Sequence, residues 1–138
     1  MQFTAKVTIF APIERIWSIL SSVSAYPTWP SGVTKVEGTA SLGSKIKIYT
    51  EVSPGKAFPL KVTSFEPNSG MALVGGMPFG LFKGTRTYLL KDTGTGVEFE
   101  MTEVYTGSFA KMIMKSIPDL TPSFEKFVNG LKYEAEKA

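Results

Sequence analysis

The sequence of 138 residues contains no cysteine and no histidine, and these two absences exclude whole classes of chemistry. Without cysteine there is no disulfide, no thiolate nucleophile and no thiolate-bound zinc or iron–sulfur cluster. Without histidine there is no Ser-His-Asp constellation, no imidazole metal site and no ready general base near neutral pH. Polar chemistry is left to carboxylates, lysine, tyrosine and arginine, and we expect neither a metal nor a cofactor.

Strong charge and long apolar runs are missing as well. The formal net charge is +3, and the basic residues include only two arginines, Arg15 and Arg86, among scattered lysines. Nucleic-acid-binding proteins usually concentrate their positive charge on one face. Residues 1–10 lack the apolar core of a signal peptide, and no apolar run approaches the ~20 residues of a membrane span. We therefore expect a cytoplasmic protein with no nucleic-acid partner and no stable membrane insertion.

The spacing of the apolar residues predicts the order of the secondary structure. Residues 3–10 alternate with period two, as in a strand, and apolar residues at helical spacing follow over about 12–21. Turn residues bound six further predicted strands, at about 34–40, 44–52, 57–66, 70–76, 82–91 and 96–106. From 108 to 138 a helical period keeps its phase across Pro118 and Pro122, which predicts one long helix kinked near 117–122. We predict one α+β domain over residues 1–138, with a curved antiparallel sheet covered by this helix.

Five short motifs follow one another along nearly the whole chain. They are APIERIWSIL at 11–20 with YPTWP at 26–30, KVTSFEP at 61–67, GTRTY at 84–88 and EVYTG at 103–107. In this order they resemble the START/Bet v 1-like superfamily, whose bacterial branch is labelled polyketide cyclase/dehydrase and lipid transport. The resemblance implies a helix-grip fold. In that fold two short helices follow the first strand, and a seven-stranded antiparallel sheet curls round the C-terminal helix and encloses an apolar ligand cavity.

Two charged residues fall on the apolar faces of neighbouring predicted strands. In strand 96–106, Glu103 shares a face with Phe99, Met101 and Tyr105, and in strand 82–91 Arg86 shares a face with Phe82 and Tyr88. An unpaired buried charge costs several kcal/mol, so we predict an inward-facing Arg86–Glu103 pair. Two interpretations stay open: a structural pair at the rim, or the polar hook of an apolar ligand pocket.

Several other side chains are candidates for lining that pocket. Tyr88 and Tyr105 are predicted hydrogen-bond donors, with satisfied core aromatics as the alternative. The apolar, glycine-rich loop 75–82, which carries Met77, Phe79 and Phe82, is predicted to be a portal flap or a tip that contacts a membrane or partner; simple packing on the C-terminal helix is the alternative. Trp29 is predicted to form a second wall of the entrance. The floor is predicted from Met112, Ile113, Ile117 and Leu120.

These features lead to three hypotheses about function. The favoured one is non-enzymatic binding or carrying of a hydrophobic small molecule, such as a lipid, polyketide or aromatic metabolite. The first alternative, which the resemblance permits, is a polyketide cyclase/dehydratase-type enzyme that uses Glu103 with Arg86 or a tyrosine. It is less favoured because a carboxylate held by an arginine is a poor acid and a weak base. The second alternative is a protein- or membrane-docking module that uses loop 75–82, with the cavity filled by side chains.

Overall fold

The computed structural model describes residues 2–116 and 119–137. Strand β1 (Gln2–Ile9) leads into helix α1 (Ile13–Ser21) and a 3-10 helix (Val23–Thr28). Six strands follow: β2 (Val33–Glu37), β3 (Lys45–Thr50), β4 (Ser53–Glu66), β5 (Gly70–Met77), β6 (Phe82–Asp92) and β7 (Val97–Thr106). The chain continues through helix α2 (Ala110–Lys115) and helix α3 (Thr121–Glu136).

All seven strands belong to one antiparallel sheet in the order β1-β7-β6-β5-β4-β3-β2. Strands β2 to β7 form a meander of consecutive hairpins, while β1 joins the far edge beside β7. In the β6–β7 hairpin the turn is closed by the Asp92 carboxylate, which accepts a hydrogen bond from the N–H of Gly94 at 2.9 Å. The α+β class, the two short helices after β1 and the antiparallel meander are confirmed.

The concave face of the sheet is covered by α1, the 3-10 helix and α3. Helix α1 buries Ile16 and Leu20, and α3 buries Phe127 and Leu131, all at 3% exposure or less. Full burial of such a side chain stabilises the fold by about 1.5–3 kcal/mol. Helix α3 packs along β1 and against α1, which places it across the concave face.

Gly130 lies in the middle of α3 and allows the loop that follows the 3-10 helix to pack directly on α3. A Cβ added at Gly130 would lie 2.0 Å from the carbonyl oxygen of Pro30 and 3.2 Å from the Trp29 ring. Only a residue without a side chain therefore permits this backbone-to-helix contact. It fixes the loop that carries Trp29 against the middle of α3.

The prediction of one continuous C-terminal helix is wrong. Helix α2 ends at Lys115 and α3 begins at Thr121, and Ile117 and Pro118, near the predicted kink, lie outside the described residues. Pro122 falls in the first turn of α3, where its missing N–H leaves no intrahelical bond unmade. The Asp119 carboxylate accepts a hydrogen bond from the free N–H of Thr121 at 3.0 Å. The second proline thus begins a helix instead of bending one.

Candidate functional site

The inward-facing ion pair predicted from the sequence is present. Arg86 on β6 lies directly opposite Glu103 on β7 in the strand register. The Arg86 Nη2 donates to Glu103 Oε2 at 2.9 Å, and the two side chains are 22% and 14% exposed. Two full charges therefore lie largely out of water on the face of the sheet that also carries Phe99 and Met101, which are 0% and 1% exposed.

Aromatic rings surround this pair. The Arg86 guanidinium lies over the ring of Phe124 of α3, 5.2 Å from its centroid, in a cation–π contact. Phe3, opposite Glu103 on β1, packs edge-on against Phe124 at 5.7 Å and against Tyr105 at 6.0 Å. Burial is the largest single effect and opposes the charge of Arg86, but the charges and hydrogen bonds of Glu103 and Tyr88 together outweigh it and raise the pKa of Arg86. Arg86 is therefore always charged.

Two tyrosines flank the pair on the same face. Tyr88 is fully buried; its hydroxyl has no partner with hydrogen-bond geometry among the described residues, but it lies close enough to Arg86 and Tyr26 to interact with both. Burial raises the pKa of Tyr88, against the opposing effect of the Arg86 charge. Burial and the negative charge of Glu103 raise the pKa of Tyr105. Both phenols are therefore protonated at neutral pH, where they serve as hydrogen-bond donors.

Deeper in the molecule the space between sheet and helix is filled by rings. The Tyr88 ring stacks on Phe127 at 5.5 Å and 6°, and Tyr26 and Trp29 pack on Phe127 at 5.3 and 5.4 Å. Trp29 is only 6% exposed, and its indole N–H has no partner among the described residues. The structure places Trp29 in the core, not in the entrance wall beside loop 75–82, because Gly130 lets its loop close onto α3.

The predicted loop 75–82 is a β-hairpin. Strand β5 extends through Met77 and β6 begins at Phe82, so only 78–81 form the turn. Phe82 is drawn inward and stacks on Tyr105 at 5.8 Å and 14°. Met77 and Phe79 point outward and are 46% and 94% exposed. Phe82 is thus the candidate of this segment whose ring packs on the inner face, against Tyr105.

The predicted floor of the pocket is only partly in place. Met112 is 63% exposed, so its placement in the floor is wrong, while Ile113 is half-buried. Helix α2 has only six residues and is not continuous with α3, and Met114 is the residue that it buries. Ile117 lies outside the described residues. Leu120, next to α3, is partly buried against the core.

Two hollows between the described residues are open to solvent, with volumes of about 180 Å³ and about 210 Å³. The first lies between β1 and α3 and the second beside α1 and Trp29, and neither is lined by Arg86 or Glu103. The rings of Tyr26, Tyr88 and Phe127 fill the space between the sheet and α3 where they meet. Among the described residues, no group of three acidic side chains could hold a metal ion.

Sequence reasoning missed three aromatic residues of the site. The contact of Phe124 with Arg86 depends on how the last helix lies on the sheet, which the helical period of residues 108–138 does not give. Phe3 follows from the alternation in β1 once β1 is known to pair with β7. Tyr26 belongs to a quoted motif, and its hydroxyl donates to the Leu20 carbonyl at the end of α1.

An open seven-stranded antiparallel sheet round a C-terminal helix, with short helices after the first strand, is a helix-grip fold. Within this class, a sequence profile described as polyketide cyclase/dehydrase and lipid transport matches residues 1–136. The chain belongs to that family. No curated protein sequence matches the chain.

Solved structures share the fold at low sequence identity. A hypothetical protein of Helicobacter pylori aligns with a TM-score of 0.79 at 14% identity, over 99% of this chain and 88% of its own. A protein of Chromobacterium violaceum aligns with a TM-score of 0.74 at 18% identity, over 99% and 98%. An aromatase/cyclase from a Streptomyces species aligns with a TM-score of 0.70 at 14% identity, over 99% and 94%. At these identities the likeness concerns the fold.

Proposed function

We propose that this protein binds a hydrophobic small molecule of the lipid, polyketide or aromatic class on the concave face of its sheet, where Arg86, Glu103 and Tyr88 orient one polar end. The observation that carries the proposal is an ion pair beside an unpartnered phenol, both on an otherwise apolar face. Membership of the polyketide cyclase/dehydrase and lipid transport family supports the same class of ligand.

Stability alone does not account for these polar groups. Replacing a buried ion pair with apolar side chains of similar volume is often neutral or stabilising, because both charges must be desolvated. A buried hydroxyl without a partner costs about 1–3 kcal/mol. A ligand oxygen would accept hydrogen bonds from the Tyr88 hydroxyl and from an N–H of Arg86, since a guanidinium has five donors and Glu103 needs only part of them.

The rings around the pair suit an apolar, planar ligand body. Phe124 lies against the Arg86 guanidinium, Phe3 lies opposite Glu103, and Phe82 stacks on the neighbouring Tyr105. Each Å² of apolar ligand surface removed from water contributes about 25 cal/mol. Since the interior is filled, the ligand must displace side chains. Helix α2, which buries only Met114, is the element that moves at least cost.

Native mass spectrometry of the purified protein, followed by calorimetric titration with fatty acids and polycyclic aromatic polyketides, tests this proposal. We expect Tyr88→Phe and Glu103→Gln each to weaken the binding of a ligand with a polar end at least about tenfold. The matched control is Glu100→Gln, which removes a carboxylate of the neighbouring exposed pair with Lys6 (3.2 Å) and should not change affinity. Wild-type affinity in Glu103→Gln, or a library without any ligand, would contradict the proposal.

A cyclase or dehydratase is the second candidate, favoured by the family description and by the aromatase/cyclase with the same fold. Tyr88 and Tyr105 are protonated and can polarise a substrate carbonyl, whereas Glu103 is engaged by Arg86. Incubation with a linear polyketide distinguishes the candidates. Cyclised or dehydrated product that disappears in Glu103→Gln would indicate an enzyme, and unchanged ligand recovered after binding would indicate a carrier.

A further inference from the structure

Exposed apolar side chains gather at the end of the sheet where the β5–β6 hairpin turns. We call this surface the apolar tip: Met77, Phe79, Phe109 and Met112, which are 46, 94, 40 and 63% exposed. The N–H groups of Ser108 and Phe109 donate to the carbonyls of Gly80 and Leu81, at 3.2 and 2.8 Å. The hairpin and the segment before α2 are therefore joined, and the apolar tip is one surface built from two stretches of chain.

The backbone conformation of Phe79 is strained and lowers the stability of the fold. Its φ of +61° lies in the left-handed region, which costs a residue with a Cβ roughly 1–2 kcal/mol. Its ring, 94% exposed, recovers almost nothing by packing. Asn68 also has a positive φ, but asparagine tolerates this conformation. Backbone strain beneath an exposed aromatic ring is not explained by stability, and such outliers concentrate at functional sites.

The charged residues in the two stretches of chain that build the apolar tip are all positive. Lys83, Lys111 and Lys115 are exposed, and the two lysines on α2 are four residues apart and share one face of the helix. The sequence has no Asp or Glu between 67 and 91 or between 104 and 118. Apolar side chains flanked by lysines are complementary to a surface that is both apolar and anionic.

We propose that the apolar tip is a peripheral docking surface for an anionic lipid bilayer. Phe79 and Met112 insert among the acyl chains, while the three lysines bind headgroup phosphates. A second copy of the chain fits this surface poorly, because a symmetric contact would bring the lysines of both copies together. Docking here is superficial: in the described part of the chain, no helix is long and apolar enough to cross a membrane.

Co-sedimentation of the full chain with vesicles tests the proposal. Vesicles of phosphatidylcholine alone are compared with vesicles that contain equal parts of phosphatidylcholine and phosphatidylserine. We expect at least about tenfold stronger partition onto the anionic vesicles, since each lysine at an anionic surface contributes about 1 kcal/mol. Doubly substituting Lys111→Gln and Lys115→Gln should lower that partition about tenfold or more.

Phe79→Asn separates docking from folding. It removes the ring and relieves the backbone strain, so partition onto anionic vesicles should fall at least about tenfold while the melting temperature stays equal or rises. Leu42→Asn is the matched control, because Leu42 is 70% exposed outside the apolar tip. This variant should bind vesicles like the wild type.

Three outcomes would overturn the proposal. These are a wild-type chain that does not sediment with anionic vesicles, a Phe79→Asn variant that sediments like the wild type, and a Leu42→Asn variant that loses as much binding as Phe79→Asn. Self-association that Phe79→Asn abolishes, in a chain that ignores vesicles, would assign the apolar tip to a second copy. The comparison of Phe79→Asn with the wild type tests the apolar tip alone, so its failure leaves the ligand-binding proposal untouched.

Discussion

Removing the charges of Arg86 and Glu103 separately and together measures what the ion pair contributes to the fold. Arg86→Met leaves a carboxylate with 14% exposure and no counter-ion, and Glu103→Leu leaves a guanidinium with 22% exposure on the ring of Phe124. A fully buried pair loses 3–5 kcal/mol when one partner is removed. The residual exposure screens part of this, so each single substitution should cost about 2 kcal/mol of unfolding free energy.

The double variant should be far more stable than the sum of its single changes. With both charges gone, two apolar side chains fill similar volume, and we expect stability within about 1 kcal/mol of the wild type. The coupling energy is then about 3 kcal/mol, and each single variant should melt roughly 6 °C lower.

Urea unfolding provides the assay, with the fluorescence of Trp17 and Trp29 as the signal, since these two indoles are 9% and 6% exposed. Additive single effects, with the double variant about 4 kcal/mol less stable, would refute the reasoning. So would single effects below about 0.5 kcal/mol, the behaviour of a solvated surface pair. If the double variant is as stable as the wild type but no longer binds a ligand with a polar end, the ion pair serves ligand binding and not stability.

Three further predictions concern the surrounding structure. Gly130→Ala should lower the unfolding free energy by about 2–4 kcal/mol in urea titrations, although alanine favours helices, because its Cβ would collide with the Pro30 carbonyl. Tyr88→Phe should leave the unfolding free energy unchanged or raise it by about 1 kcal/mol, since the substitution removes a buried hydroxyl that lacks a well-placed hydrogen-bond partner. The hydrogen bond from Lys132, and after it the one from the Phe10 N–H, lower the pKa of Glu136. Its ionised carboxylate therefore stabilises the fold above the usual glutamate pKa. This contribution is lost as the pH falls through the lowered pKa. Glu136→Gln should therefore flatten the acid limb of stability below the usual pKa of glutamate.

The first two of these predictions each have a matched control variant. Asn129→Ala, at an exposed neighbouring position, should stay within about 0.5 kcal/mol of the wild type. Tyr26→Phe should cost about 1–2 kcal/mol, because the Tyr26 hydroxyl donates to the Leu20 carbonyl. A Gly130→Ala chain as stable as Asn129→Ala, equal losses in the two tyrosine variants, or an acid limb as steep in Glu136→Gln as in the wild type would each contradict the corresponding prediction.

The ion pair was predictable because its determinants are local in sequence. Period-two alternation assigns Arg86 and Glu103 to one face, and the short turn between β6 and β7 leaves few possible registers. The whole meander follows from the same two rules, alternation and short connections, applied to successive strands. The start of the last helix was harder to predict from the sequence, since Pro122 is compatible both with a kink and with the first turn of a helix.

The filling of the interior was not predictable, because it depends on volumes contributed by distant segments. Tyr26, Tyr88 and Phe127 come from three separate elements, and their rings meet only when all three are in place. Gly130 reads in sequence as a weak helix former, and its role becomes visible only beside the Pro30 carbonyl. The exposure of Met112 likewise follows from where α2 ends, which the uninterrupted helical period conceals.

The rings of Tyr26, Trp29 and Tyr88 that pack on Phe127 affect the binding kinetics of any ligand that enters between the sheet and α3. Under the proposed function a ligand must displace these rings, so the binding-competent form would be a minor conformation, and the apparent dissociation constant would exceed the intrinsic one by the inverse of its population. Association in stopped-flow experiments should then approach a plateau as ligand concentration rises, set by the rate of opening and not by diffusion. Substitutions that trim Phe127 or Trp29 would raise that plateau and shorten the residence time of the ligand together.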